Sequence, residues 1–235
     1  KYHERWQFSN KLSFGLTWDG RDLKQNTTKG YLLSMNYTYA GGFLFGLSNY
    51  NRIGFSAAGY HSLFSYKDEK EQTKALVLSA TSNVSFMLPQ YSNLGGYANW
   101  GWYQPNKGAT KYEMLYLDGM NIGRGFNVIY DQSFLWHNQV EVTVYQVMAL
   151  EAFVSATGVV QDLDELGSFN NIDWYLAGGV GIKMMIPGFP LGLYLVKNAT
   201  IIDGDFEWYS GQGLFGSGRK GSGMSIVLAI TSSLY

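Results

Sequence analysis

Residues 6–18 read Trp6-Gln7-Phe8-Ser9-Asn10-Lys11-Leu12-Ser13-Phe14-Gly15-Leu16-Thr17-Trp18. Trp6, Phe8, Leu12, Phe14, Leu16 and Trp18 share one parity, and Gln7, Ser9, Lys11, Ser13, Gly15 and Thr17 share the other. Side chains on a strand point alternately to opposite faces, so this run predicts a half-buried strand. The alternation recurs along the chain. Tyr31, Leu33, Met35, Tyr37 and Tyr39 oppose Ser34, Asn36 and Thr38. Leu76, Leu78, Ala80, Val84, Phe86 and Leu88 oppose Ser79, Thr81, Asn83 and Ser85. Val140, Val142 and Val144 oppose Glu141, Thr143 and Tyr145, and Trp174 to Ile186 repeats the pattern against Tyr175, Ala177, Gly179, Gly181 and Lys183.

The pattern predicts an all-β chain of about nine strands, at roughly 6–18, 29–41, 49–64, 73–88, 133–147, 149–160, 173–186, 190–200 and 223–235. No segment longer than a turn has helical spacing. Compact connections such as Pro187-Gly188-Phe189-Pro190 alternate with long ones at 161–172, 201–222 and 89–132. That rhythm is the one a barrel has, with short turns at one end and long loops at the other.

Composition narrows the class. The chain has 235 residues, of which 15% are charged, against about 25% in ordinary soluble proteins. A net charge of −1 argues against a nucleic-acid surface. With Cys at 0 there is no disulfide framework, thiolate metal site or cysteine nucleophile. The apolar content excludes intrinsic disorder. No stretch approaches the ~18 apolar residues of a membrane helix. Lys1 to Arg5 are followed by no apolar run, so no signal peptide is visible and the chain reads as a mature product or one whose front has been removed.

Alternation alone does not say which face meets lipid, because a soluble β-sandwich or lipocalin alternates too. Three features favour the membrane. The predicted strands are long for soluble proteins. Trp6, Trp18, Tyr31, Tyr39 and Trp174 sit near strand ends, as in an interfacial aromatic girdle. The polar face carries small residues with Lys11, Lys183 and Glu141, which suits a wet lumen.

Chemistry is sparse. His3, His61 and His137 have no second ligand at metal spacing. The acidic groups Asp162-Leu163-Asp164-Glu165 and Asp203-Gly204-Asp205-Phe206-Glu207 complete no calcium-loop pattern and read as solvated loops. Gly216-Ser217-Gly218-Arg219-Lys220-Gly221 matches G-x-G-x-x-G formally but leads into a strand, leaving no helix N-terminus for a pyrophosphate. There is no nucleophile elbow and no Ser/His/Asp set. Neither an enzyme nor a cofactor is expected.

Several segments in order resemble the barrel of the BamA-type outer-membrane protein assembly factors, the bacterial surface antigen or insertase superfamily. Asp19-Gly20-Arg21-Asp22 followed by Thr28-Lys29-Gly30 resembles the family's periplasmic turn, with Asp19, Arg21 and Asp22 as its motif. Ile122-Gly123-Arg124-Gly125-Phe126 resembles its V/I-R-G-F/Y loop tip. Val140-Glu141-Val142-Thr143-Val144, then Phe153-Val154-Ser155-Ala156-Thr157-Gly158-Val159, resembles two of its strands. Ala177-Gly178-Gly179-Val180-Gly181-Ile182 through Pro187-Gly188-Phe189-Pro190-Leu191 resembles its last hairpin. Three departures stand out: Gly123 intrudes in the loop motif, Ser155 stands where the family has Asp, and Tyr235 takes the opposite parity to Met224, Ile226, Leu228, Ile230 and Leu234.

The resemblance covers residues 1–235 as one domain. It implies the C-terminal nine strands of a 16-stranded transmembrane barrel in the bacterial cell outer membrane, without the first seven strands or the POTRA domains. An open sheet leaves unpaired edges that lipid does not tolerate, so the chain is expected to be a piece of a larger barrel. The turns near 19–29, 65–73 and 187–190 are expected in the periplasm and the loops near 42–48, 89–132, 161–172 and 201–222 outside.

The long loop is expected to fold into the lumen without regular structure. A guanidinium there needs a carboxylate of fork geometry, and Glu141 points inward, so Arg124 is expected either to latch onto Glu141 or to remain solvated; the resemblance favours the latch. The implied function is insertion of other β-barrel proteins by strand exchange, as the insertase core of a BAM complex. The last strand would be one side of a lateral gate, with Ser225, Ala229, Thr231, Ser232, Ser233 and Tyr235 making a weak seam. The implied partners are outer-membrane lipid, unfolded client proteins, and accessory lipoproteins and periplasmic chaperones acting through the absent domains; no nucleic acid is expected. A two-partner-secretion export pore and a passive porin are the alternatives.

Overall fold

The computed structural model describes residues 9–24, 26–46, 48–67, 73–89, 109, 113–145, 148–184, 191–209 and 223–230. Twelve strands are formed among the described residues: β1 (Lys11–Asp19), β2 (Gly30–Ala40), β3 (Tyr50–Lys67), β4 (Thr73–Pro89), β5 (Leu115–Leu117), β6 (Ile129–Gln132), β7 (Phe134–Tyr145), β8 (Met148–Val160), β9 (Asp173–Met184), β10 (Leu191–Ile202), β11 (Asp205–Tyr209) and β12 (Ser225–Ile230). Ten of them make one sheet in the order β1-β2-β3-β4-β7-β8-β9-β10-β11, with β12 also on β10. All pairings are antiparallel. Among the described residues no pairing joins β1 to β11 or β12, so the described sheet is open.

Parity decides the faces. Phe14, Leu16 and Trp18 are 60%, 73% and 68% exposed, and Leu33, Met35, Phe55, Val140, Val154, Val180, Leu193 and Leu228 are exposed on the same side of the sheet. A continuous apolar face of this extent is not compatible with water and marks an interaction surface. The opposite face is largely polar and is covered in part by residues 113–133.

Connections sort by end. Among the described residues, those between β1 and β2 lie at one end of the sheet, and those between β2 and β3, between β8 and β9, and at 203–204 lie at the other. Two expectations are corrected here. Residues 201–222 are not one loop. Ile202 pairs Asp205 across Asp203 and Gly204, whose φ values are +53° and +85°. That is a tight hairpin in which both central residues need left-handed backbone, and Asp-Gly is a preferred pair for it. β11 then lies beside one half of β10, and β12 beside the other half at Leu191–Val196. The second correction concerns the long loop, which does contain regular structure: β5 and β6 pair as a small separate sheet.

The segment from Glu113 to Ser133 crosses the inner face. Met114 packs with Ala40, Tyr50 and Met87. Leu115 and Leu117 pack with Leu135 and Val159. Phe126 joins Phe153, Ala177, Tyr194, Val196, Val227 and Ala229. Each large apolar side chain so buried contributes roughly 1.5–3 kcal/mol.

Candidate functional site

The turn between β1 and β2 is built by two carboxylates. Asp19 takes a bidentate ion pair from Arg21, with Nε and Nη2 both at 2.8 Å. Asp22 Oδ1 accepts the amides of Leu23, Thr28 and Lys29 at 2.9, 3.0 and 3.1 Å, and Oδ2 accepts the Thr28 hydroxyl. Burial pushes the Asp22 carboxyl up, but the Thr28 hydroxyl and the three amides outweigh it and hold the group below the usual carboxylate range. The three motif residues and Thr28-Lys29 therefore act together, as an Asx-type frame for the turn.

The loop tip is framed the same way. Asp118 Oδ1 accepts the amides of Met120, Asn121 and Ile122 at 2.8, 2.7 and 2.8 Å. Gly125 N–H donates to Gly119 O at 2.9 Å and Phe126 N–H to Gly123 O at 3.0 Å. Gly119, Gly123 and Gly125 all have positive φ. Gly125 has a second reason to be glycine, since a Cβ there would come within 2.6 Å of Asn198 Oδ1. Asn198 Nδ2 donates to Arg124 O at 2.8 Å, tying the tip's backbone to β10.

The register of the inner face places the seat. Gln139, Ser155, Ala177, Asn198 and Tyr209 form one row; Glu141, Phe153, Gly179, Val196 and Ser225 the next; Thr143, Glu151, Gly181, Tyr194 and Val227 a third. Arg124 is 4% exposed. Its guanidinium carbon lies 3.9 Å from the Tyr194 ring centroid and 4.3 Å from that of Phe153. Nε donates to Met120 O at 3.0 Å. Tyr194 lies across Gly181, where a Cβ would meet Tyr194 Cδ1 at 2.1 Å, and its hydroxyl donates to Glu151 Oε2 at 2.5 Å. Lys183 Nζ is 3.4 Å from Glu151 Oε1. The glycine thus lets the ring lie flat, and the carboxylate fixes its far end. A cation over such a ring is worth ~2 kcal/mol when desolvated.

The expected Arg124–Glu141 pair is not formed. Among the described residues no ion pair joins Arg124 to any carboxylate. Glu141 is taken up by its own strand, accepting Gln139 Nε2 at 3.0 Å and the Thr143 hydroxyl at 2.8 Å. The rings of β8 and β10 hold the guanidinium instead. Ser155 Oγ is buried without a hydrogen-bond partner, so it does not replace the carboxylate of the family pattern. Phe126 is held by Tyr175, edge-on at 5.1 Å, and by Tyr209, stacked at 4.9 Å. Sequence reasoning missed Tyr194, Asn198 and Glu151. Tyr194 shares inward parity with Asn198, and the glycines opposite it were the available signal.

On the last strand, Ser225 and Ala229 are buried on the inner face. Thr231, Ser232, Ser233 and Tyr235 lie outside the described residues, as do His3 and Gly216–Gly221. His137 is buried, its Nδ1 2.8 Å from the Thr157 hydroxyl. Among the described residues no group of three His, Asp or Glu side chains is placed to hold a metal ion.

A comparison with protein families matches the Omp85 superfamily domain to residues 1–130, more than half of the chain, ending just past the loop tip. A search of the curated proteins finds no match. The superfamily serves outer-membrane protein biogenesis or secretion in the broad sense. With its long antiparallel strands, its apolar outer face and its in-folded glycine-rich tip, the chain belongs to the Omp85 superfamily.

Proposed function

We propose that the chain is the C-terminal part of the barrel of a BamA-type insertase, which folds other β-barrel proteins into the bacterial outer membrane. One observation carries the reading: the loop tip and the terminal strand share a packed cluster, Phe126 and Tyr194 with Val227 and Ala229. A plug seated there sits beside the strand at which a seam would open. Among the described residues β12 pairs β10 at Leu191–Val196, the half of that strand that β11 leaves open. A client strand adds to a freed edge by backbone hydrogen bonding, which is indifferent to client sequence. The apolar face meets lipid, the Asp19–Gly30 turn faces the periplasm, and accessory lipoproteins and chaperones act through domains outside this sequence. No cofactor or covalent step is needed.

The test is reconstitution of the complete protein in liposomes with an unfolded β-barrel client, scored by the folded, heat-modifiable fraction over time. Client folding should run about tenfold faster than in empty liposomes, the scale of 1.4 kcal/mol in a barrier, and Arg124→Ala should remove most of the gain. Unchanged client folding, with passage of a secreted chain across the vesicle wall instead, would replace the insertase reading with export.

A further inference from the structure

The tip is not the only tether of the in-folded segment. At its root Glu113 Oε1 lies 2.6 Å from Lys11 Nζ and accepts the Ser9 hydroxyl at 2.9 Å. Its other oxygen accepts the Ser48 hydroxyl at 2.6 Å. The Ser9 and Ser48 hydroxyls are themselves 2.9 Å apart. The Glu113 side chain is only 10% exposed, and Ser48 is buried. One carboxylate therefore gathers donors from the start of β1 and from the β2–β3 connection, positions far apart in sequence. Met114 and Ala109 pack against Ala40, Tyr50 and Met87 beside it. A solvated loop acid would collect none of this, and charge-assisted hydrogen bonds of this kind are roughly twice as strong as neutral ones.

We propose that Glu113 and Lys11 form a second anchor, so that the segment is a strap fixed at both ends across the inner face, from β1 at the root to β8 and β10 at the tip. The anchor acts by position. With the root held, the tip is confined near its seat at high effective concentration, and rebinding after each release is fast. With the root free, the tip has the whole loop in which to wander. Glu113 and Lys11 are positioning residues in this account, since neither touches a client. The anchor extends the insertase reading but depends on it only for its consequence in assembly.

The complete protein in its membrane is the material, with limited proteolysis of the 113–133 segment as the readout and heat-modifiable mobility as the control for folding. Glu113→Gln and Lys11→Glu should each speed cleavage about fivefold, and the exchange of both charges, Lys11→Glu with Glu113→Lys, should return it to within about twofold of the native rate. A doubly exchanged protein cut as fast as the single variants overturns the anchor. Should a charge variant not reach the membrane, Ser48→Ala removes one donor and no charge. It should speed cleavage about twofold, and no change there also overturns the anchor. Client assembly is scored on the same variants. Cleavage that follows the charge pattern while assembly stays constant supports the anchor and removes the segment from the insertase mechanism.

Discussion

The two ends of the in-folded segment are held by different physics. At the root a half-buried carboxylate meets an ammonium and two hydroxyls directly. At the tip a buried guanidinium meets no carboxylate and lies against both the Tyr194 and Phe153 rings, which are themselves edge to face, with a packed phenylalanine two residues on. The difference follows from what each wall offers. β1 and the β2–β3 connection present Lys11, Ser9 and Ser48. The wall at β8–β10 presents rings, and its acid, Glu151, is already engaged by Tyr194 and Lys183. A guanidinium on the inner face is thus held indirectly, by a ring whose own hydroxyl is held by the acid, while its Nη1 is buried without a hydrogen-bond partner.

The largest effect that would break this comparison lies at Phe126. Replacing a buried phenylalanine by alanine typically costs ~3–5 kcal/mol, and Phe126 packs with Tyr175, Tyr209, Val227 and Ala229. Phe126→Ala should free the tip, raising cleavage between Asp118 and Val128 by well over tenfold while the root stays protected. Equal loss of protection at both ends would mean that they are not separate anchors.

A smaller effect tests the ring itself. Tyr194→Leu should loosen the tip about tenfold, since it removes one of the two faces holding Arg124. Tyr194→Phe keeps the face and loses only the bond to Glu151, so it should fall between that variant and the native protein. Glu141→Gln should change cleavage less than about twofold, because its carboxylate is bound within β7. Glu141→Gln as damaging as Arg124→Ala would restore the direct ion pair that the geometry lacks.

The smallest effect is at the β1–β2 turn, where an exposed carboxylate does what Glu113 does under cover. Asp22 is held below the usual carboxylate range in the folded turn. Its contribution is therefore complete at neutral pH and is lost as pH falls below that range, through the lowered value. Hydrogen exchange at the Thr28 and Lys29 amides, corrected for intrinsic rates, should show the turn loosening on acidification, and Asp22→Asn should show it already at neutral pH. Protection that is independent of pH would assign the turn to backbone pairing alone.

The long strands of the main sheet were legible in the sequence because a period of two is a local property: Phe14, Leu16 and Trp18 must share a face in any strand they form; β5, β6 and β11 are too short to show that period and were read as loop. The turn frame was legible for the same reason, since Asp22 binds the amides of Thr28 and Lys29 in its own turn. The Asp203-Gly204 hairpin was also within reach, and reading it as an acidic cluster hid it. The motif at Arg124 marked the right loop, and inward parity marked Glu141 as a reasonable partner.

Composition and alternation by themselves determined an antiparallel, two-faced sheet, and the glycines around Arg124 determined a tip with left-handed backbone. What held that tip was decided only in three dimensions. A partner on the inner face depends on the register of β7, β8, β9 and β10 together, and on where a segment rooted at Glu113 comes to rest. A shift of one residue in β8 would turn Phe153 outward, and one in β10 would turn Tyr194 outward. Parity confines a side chain to a face; only the assembled sheet says which side chain on that face lies within 4 Å of a guanidinium arriving from a distant loop.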